Sequence, residues 1–389
     1  MTKSIAILGS TGSIGQSTLD VVSLNPGYFN IFLLTANTNF KELAKQVQKY
    51  KPKYVYLQDS NHHSEFKALI KESKTIFVDS TTSFYDLFSS NEFDTVISAV
   101  SGSAGLMSSY HAARNNKKIL LANKESMVMA GSLIKKQYSD YKNYLFPIDS
   151  EHNSIFQIIG YKTDNIESIT LTASGGPFIG KSKQFLQNIT VDMALKHPNW
   201  VMGQKITIDS ATMLNKALEV IEAFHLFELA KEKIKVIVHP ESIIHSIVNF
   251  SDGASISQFS YPDMKIPISY VLGYPERLNS GVEPINLIQN KILNFYDIGD
   301  QFKQNVNLAY YSLEKPDFYP VILNAANEVA VNLFLNQKIK FNQIYDLIHN
   351  CLNRFAGIAS YGEGSIDNIL ALHQESEDIT YQLLSKTLN

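Results

Sequence analysis

From Ser4 to Ile148 short apolar runs alternate with longer amphipathic ones, and that alternation leaves few folds open. The candidate strands are 5–8, 31–34, 54–57, 75–78, 95–99, 119–121 and 144–148. Stretches of helical period, such as 13–24 and 40–50, lie between most of them. Strand-helix alternation of this kind predicts a parallel sheet with helices on both faces. Gly9-Ser-Thr-Gly12-Ser-Ile-Gly15 follows the first strand and opens the first helix. Glycines there let the backbone approach a pyrophosphate, and the helix N-terminus offers free N–H groups and positive dipole charge. Thr11, Gly12, Ser13 and Ile14 are the cofactor contacts this predicts, with a ligand-free tight turn as the plainer alternative.

After the second strand comes Ala36-Asn37-Thr38-Asn39, at the position that meets an adenosine ribose in such folds. An acid there favours NAD and a base NADP. Here Asn37, Thr38 and Asn39 supply hydrogen bonds but no charge.

The last strand of this half ends in Asp149-Ser150-Glu151. Read as extended chain, Asp149 and Glu151 point to one side and bring two carboxylates together, which a divalent cation would neutralise. The same residues read equally as an exposed acidic loop capping a helix that begins near Glu151. Asn123-Lys124-Glu125 closes the strand before it, and ligands bind at strand C-termini of parallel sheets.

The pattern changes after Asp149. Segments 166–173, 235–239, 243–250 and 254–260 are strand-like, and a long helical stretch runs from about 210 to 230. Asp252-Gly253 is a hairpin signal, so a second, α+β domain is expected. Asp209 or Ser210 is the expected N-cap of the long helix. Asn215, Lys216 and Glu219 share neighbouring ridges on it. They read either as a surface Lys-Glu pair or as an anion site built from Ser210, Asn215 and Lys216, with Glu219 a third carboxylate for Mg²⁺ or Mn²⁺. Between 173 and 206 no period is clear, and glycines and prolines recur, as in a lid or binding loop. Ser174 and the run His197-Pro-Asn-Trp200-Val-Met202-Gly203 bracket this segment. Trp200, the only tryptophan, is either a fixed anchor or a group that closes over a ligand, and His197 either a plain loop histidine or a donor to a phosphate or hydroxyl. Residues 275–300 read as a linker and 301–389 as a helical bundle.

With 389 residues the chain exceeds one ordinary core. The resulting division is 1–149 for a dinucleotide domain, 150–274 for a catalytic domain with a flap at about 174–205, the linker, and the C-terminal domain. A formal net charge of -3 gives no reason to expect nucleic acid or a membrane surface as partner. The single Cys351 excludes an internal disulfide and fits a reducing compartment, so the cytoplasm is the expected location.

Together these stretches resemble the 1-deoxy-D-xylulose 5-phosphate reductoisomerase family. The resemblance rests on GSTGSIG at 9–15, LANKES at 121–126, FPIDSEHNSIFQ at 146–157, ASGGPF at 173–178, HPNWVMG at 197–203, IDSATMLNKALEVIEA at 208–223, HPESIIHS at 239–246 and LNAANEVA at 323–330. It implies an N-terminal Rossmann-like NADPH domain, a central α+β catalytic domain with a flexible flap, a C-terminal helical bundle and a V-shaped homodimer. It implies rearrangement and reduction of a phosphorylated sugar, 1-deoxy-D-xylulose 5-phosphate, to 2-C-methyl-D-erythritol 4-phosphate. Carried over by position, Asp149, Glu151 and Glu219 hold the metal (Mg²⁺, Mn²⁺ or Co²⁺). Ser174, Ser210, Asn215 and Lys216 hold the phosphate, and Lys124, Ser150 and His197 contact the substrate. Trp200 sits on the flap. Asn123, Glu125, Met202 and Gly203 face the cofactor, the last two near the nicotinamide. Where the family usually has Gly and a basic residue this chain has Asn37 and Thr38, which narrows the expected preference for NADPH. An aspartate-semialdehyde dehydrogenase, the nearest competing reading, needs a cysteine nucleophile in its second domain, and Cys351 is misplaced for that.

Overall fold

The computed structural model describes residues 2–198, 200, 202–362 and 364–387. Asn199 and Val201 of the 197–203 motif lie outside the described residues. The chain groups into two compact units, 1–123 with 134–153 and 263–284, and 124–133 with 154–262 and 285–389. The first unit thus draws on chain well beyond residue 149.

Seven strands form the sheet of the first unit: β1 (Lys3–Leu8), β2 (Phe29–Ala36), β3 (Tyr54–Leu57), β4 (Ile76–Val78), β5 (Thr95–Ser98), β6 (Lys118–Leu121) and β7 (Leu145–Pro147). All pairs are parallel and the order is β4-β3-β2-β1-β5-β6-β7. Each strand overlaps a run predicted from the sequence, and β1, β2 and β6 extend beyond theirs. The central pair is dry: Ile5, Ala6, Ile7, Leu8, Val96 and Ile97 are all fully buried. Strand order reverses between β1 and β5, and a ligand crevice opens at that reversal in sheets of this kind.

The glycine turn sits there. Gly9 has φ +77, and a Cβ on it would lie 2.7 Å from the carbonyl oxygen of Ala99, the residue after β5. Thr35 fastens the turn: its Oγ1 accepts from the Gly9 amide at 2.9 Å and its carbonyl from the Ser10 amide at 2.8 Å. Ser10 is buried against Gln46, its hydroxyl donating to Oε1 at 2.6 Å.

In the second unit four strands pair in the order β11-β10-β8-β9. These are β8 (Ile166–Ala173), β9 (Ile234–Val238), β10 (Ile244–Phe250) and β11 (Ser255–Phe259). β9 runs parallel to β8, while β10 is antiparallel to both β8 and β11. The Asp252-Gly253 hairpin is present, with Gly253 at φ +89. Four helices, Asp300–Glu314, Tyr319–Leu335, Gln343–Arg354 and Ile366–Thr387, make up the C-terminal part. In Gln343–Arg354 the buried residues are Ile344, Leu347, Ile348, Cys351 and Leu352, one stripe at helical spacing.

Two local expectations are corrected. The long helix expected from 210 is two helices, Gln204–Thr212 and Leu214–Phe227. Met213 between them adopts a left-handed conformation at φ 64, and that residue, not Asp209 or Ser210, precedes the second helix. Gly203, in extended backbone, opens the first. The apolar periodicity continues across the break, so a window over the sequence does not see it. Asp149 and Glu151 are also not on one extended segment. β7 stops at Pro147 and a helix, Ser150–Ile159, starts at once, so Asp149 precedes it and Glu151 is in its first turn.

Gly15 provides a direct test of the turn. A Cβ there would come within 2.4 Å of the Gly9 oxygen and of the Ser10 Cα. Both are backbone atoms fixed by Thr35 and Gln46, so relaxation is limited. Gly15→Ala is expected to lower stability by about 1–3 kcal/mol, measured by urea unfolding. A change below roughly 0.5 kcal/mol, the size of an ordinary surface substitution, would mean that the turn is free to move.

Candidate active site

In the first unit, Gly12 is the residue before the helix Ser13–Leu24, and no side chain caps that end. Thr11, Ser13 and Ile14 therefore surround uncapped amides, with no acidic residue in the first turn to repel an anion. Asn37 and Thr38 are exposed at the end of β2. Asn39 is committed locally, its Oδ1 accepting the Glu42 amide at 3.3 Å as cap of the helix Phe40–Tyr50. Asn123 is buried and donates to the Gly102 carbonyl at 2.9 Å.

Asp149 Oδ1 accepts the Ser150 amide at 3.0 Å, and Ser150 Oγ donates to Glu151 Oε2 at 2.5 Å. His152, which the sequence reading passed over, is fully buried with Nδ1 3.9 Å from Asp149 Oδ2. Its place three residues after Asp149 on a helix start was the available signal.

In the second unit a charged cluster gathers at the end of β8. Glu219 is fully buried, and Lys124 and Lys216 are each 4% exposed. Lys216 Nζ donates to Glu219 Oε2 at 2.6 Å and to the Thr172 carbonyl at 2.7 Å. Asn215 Nδ2 donates to Glu219 Oε1 at 2.5 Å. Lys124 Nζ donates to Asn215 Oδ1 at 2.8 Å and stands 3.5 Å from Glu219 Oε1. The surface-pair reading of Lys216 and Glu219 is thereby excluded, because both ends are out of water.

Beside it lies a neutral cluster. His197 Nε2 is 3.1 Å from Ser174 Oγ and 3.1 Å from Ser210 Oγ, and His197 Nδ1 accepts the Trp200 amide at 3.0 Å. An Nδ1 that accepts carries no proton, so the hydrogen sits on Nε2 and points at the two hydroxyls. Gly176, at φ +65, lets this loop touch the helix Gln204–Thr212: a Cβ on it would be 2.9 Å from the Ser210 oxygen. Ser210 and the Asn215–Lys216 pair thus belong to two different local clusters. Met202 is half-buried and Gly203 exposed at the start of that helix.

Glu125 makes an ion pair with Lys205 at 2.8 Å, and Lys205 also holds Asp209 at 2.9 Å. Burial works to raise the Glu125 carboxyl, but the Lys205 ammonium outweighs it and holds the group below its ordinary range. Burial raises Asp209 instead, despite Lys205 and an Asn327 donor at 2.9 Å. Lys205 and Asn327 were not singled out from the sequence. Lys205 carried a local signal, four residues before Asp209 on one helix, whereas its pairing with Glu125 and that of Asn327 with Asp209 are long-range.

Burial alone pushes the His197 imidazole below its ordinary value of 6.5. A group depressed in this way contributes stability above the unfolded value and loses it as pH falls through the folded one. Protonation also turns Nδ1 into a donor, which breaks the bond from the Trp200 amide. Trp200 fluorescence is therefore expected to change with a midpoint below pH 6.5, with no such transition in His197→Ala. A midpoint at or above 6.5 in the parent protein, or the same transition in the variant, contradicts the assigned tautomer.

Comparison with known proteins bears on the whole chain. Family sequence models for 1-deoxy-D-xylulose 5-phosphate reductoisomerase match residues 5–131, its C-terminal domain model residues 145–227, and a further DXP reductoisomerase C-terminal domain residues 259–379. The 1-deoxy-D-xylulose 5-phosphate reductoisomerase of Clostridium tetani is 44% identical over 91% of this chain and 93% of its own. That of Psychrobacter cryohalolentis is 40% identical over 99% of each. A crystal structure of DOX-P reductoisomerase with NADPH, fosmidomycin and magnesium matches with a TM-score of 0.93 at 38% identity, over 98% of both chains. The Zymomonas mobilis enzyme in complex with NADPH matches at 0.90 and 34%, over 99% of both. With every segment from the glycine turn to the C-terminal helices matched in order, the chain belongs to the 1-deoxy-D-xylulose 5-phosphate reductoisomerase family.

Proposed function

We propose that this protein rearranges and reduces 1-deoxy-D-xylulose 5-phosphate to 2-C-methyl-D-erythritol 4-phosphate, using NADPH and a divalent metal. The observation that carries the reading is the buried Glu219, braced between Lys124 and Lys216, in a chain of this family. The uncapped helix behind Gly12 fits a dinucleotide pyrophosphate. The donor set of Asp149, Glu151 and Glu219 is all carboxylate oxygen, which fits Mg²⁺, Mn²⁺ or Co²⁺. These residues would hold the cation, which would supply polarisation of a carbonyl and acidification of a hydroxyl, the chemistry that retroaldol and aldol steps require.

The chain's own residues do the rest. Lys124 and Ser150 orient the substrate oxygens. Lys216 supplies the positive charge for the phosphate, and Ser174, Ser210 and Asn215 supply neutral contacts. His197, with its proton on Nε2, donates to the substrate once the two hydroxyls turn to the phosphate. Trp200, half-buried, closes the segment 174–205 over the site and excludes water from the aldehyde intermediate. Met202 and Gly203 would border the nicotinamide, Thr11 to Ile14 the pyrophosphate and Asn37 to Asn39 the adenosine ribose, with Asn123 and Glu125 as further cofactor contacts. On this reading 1–149 is the cofactor domain, 150–274 the catalytic domain, 275–300 a linker and 301–389 a helical domain. A homodimer in the cytoplasm is the assembly proposed. The single cysteine, buried, supports the reducing compartment, and the homodimer is what the family resemblance implies.

The first test is metal-dependent NADPH oxidation with the deoxyxylulose phosphate. Asp149→Asn, Glu151→Gln and Glu219→Gln are each expected to lower kcat by at least about a hundredfold, since orienting and charge-stabilising groups carry losses of that order. No turnover by the parent protein with any of the three cations overturns the reading, and near-normal turnover in one variant removes that residue.

The second test concerns cofactor choice. Thr38 is exposed and uncharged, and none of Ala36, Asn37, Thr38 and Asn39 is acidic. Thr38→Arg is expected to tighten NADPH by up to about tenfold, roughly 1.4 kcal/mol, and to leave NADH nearly unchanged. An unchanged ratio of the two Kd values would place 2′-phosphate recognition elsewhere.

A further inference from the structure

Away from these clusters, two helices of the C-terminal part bring an imidazole and two carboxylates together. His373 and Glu377 are four residues apart on Ile366–Thr387, and so share one face. Glu328 faces them from Tyr319–Leu335. His373 Nε2 is 3.7 Å from Glu328 Oε2, and His373 Nδ1 is 3.9 Å from Glu377 Oε2. One ligand atom from each of the three lies within 4.8 Å of the others. The His373 side chain is only 9% exposed, and among the described residues its Nε2 has no hydrogen-bond partner.

A buried imidazole nitrogen without a hydrogen bond is costly, and these separations are too long for one. They are close to the spacing of ligand atoms around a bound cation. Atoms about 2.0–2.1 Å from a tetrahedral ion are roughly 3.3 Å apart. For each of the two pairs with His373 the difference is about half an ångström, within reach of a glutamate side-chain rotation. Glu328 is already oriented for this: Asn324 Nδ2 donates to its Oε1 at 3.0 Å, leaving Oε2 toward His373. Outer hydrogen bonds of that kind fix a ligating carboxylate.

The electrostatics point the same way. Burial lowers the His373 imidazole from its ordinary value, favouring the neutral form that ligates metals, although Glu328 opposes the shift. Burial, then Glu328, raises Glu377.

We propose that Glu328, His373 and Glu377 form a second divalent-metal site, structural in role, pinning Ile366–Thr387 to Tyr319–Leu335. One nitrogen and two carboxylate oxygens select a first-row transition ion, Zn²⁺ before Mn²⁺, over Mg²⁺. Water completes the shell.

The site is read apart from catalysis by using the full chain carrying Asp149→Asn and Glu219→Gln. Equilibrium dialysis against Zn²⁺ in excess Mg²⁺ is expected to leave one Zn²⁺ per chain, with a rise in Tm on binding. Adding His373→Gln is expected to weaken that binding at least about tenfold and abolish the rise. Adding Glu377→Gln instead is expected to do the same, and far-UV circular dichroism identifies which of the two chains is folded. The proposal is overturned by absence of bound Zn²⁺ in the parent double variant, or by Zn²⁺ held equally tightly in a folded His373→Gln or Glu377→Gln chain.

Discussion

One carboxylate between two ammonium groups, all out of water, is the constraint on which the catalytic half depends. Transferring an ion from water to protein interior costs several kcal/mol even after relaxation, and Glu219, Lys124 and Lys216 are three such ions. The arrangement persists because each charge has its hydrogen bonds: Asn215 bridges Lys124 to Glu219, and the end of β8 gives Lys216 a carbonyl. Removing any member strands the others. Such a cluster is poor as a source of stability. It is well suited to a site that must exchange internal partners for a phosphate and a cation, since those ligands bring the same charges.

The first sheet was legible because parallel strands buried on both faces read as short apolar runs, and the glycine turn follows the first of them. Ser13–Leu24 and Phe40–Tyr50 begin and end where their periodicity does. The corrections have a shared cause. Met213 breaks a helix without breaking the apolar pattern, and Pro147 ends β7 earlier than its apolar neighbours suggest. Backbone conformation changed there while hydrophobicity did not. In the site, Asn215, Lys216 and Glu219 were legible because helix spacing alone brings them together. Asn327 was not, because its contact comes from a segment that sequence spacing does not relate; Lys205 and His152 had spacing signals toward Asp209 and Asp149, but the burial that sets them apart from surface pairs is not shown by the sequence.

His197 connects the irregular segment to the strand that anchors the site. Its ring receives the Trp200 amide on one nitrogen and addresses Ser174 and Ser210 with the other. Ser174 follows β8 directly, so the tryptophan is tied through one ring to the same strand that fixes Lys216. A ligand that recruits the two hydroxyls therefore acts also on the placement of Trp200, with no separate sensing element required.

The left-handed residue at 213 has a mechanical consequence. A continuous helix is a stiff rod, and leverage at one end would reach the other. At Met213 the rod is cut: the bonds at the joint are short ones, from the Met213 amide to Ser210, from the Lys216 and Ala217 amides to Met213, and from the Leu214 amide to the Thr212 hydroxyl. A displacement of Gln204–Thr212, which carries Ser210 and follows the irregular segment, would be absorbed there. Leu214–Phe227 would then keep its buried charges in register, at a cost of about 1–3 kcal/mol of backbone strain. A joint of this kind is a vibration mount: one helix can shift without levering the other.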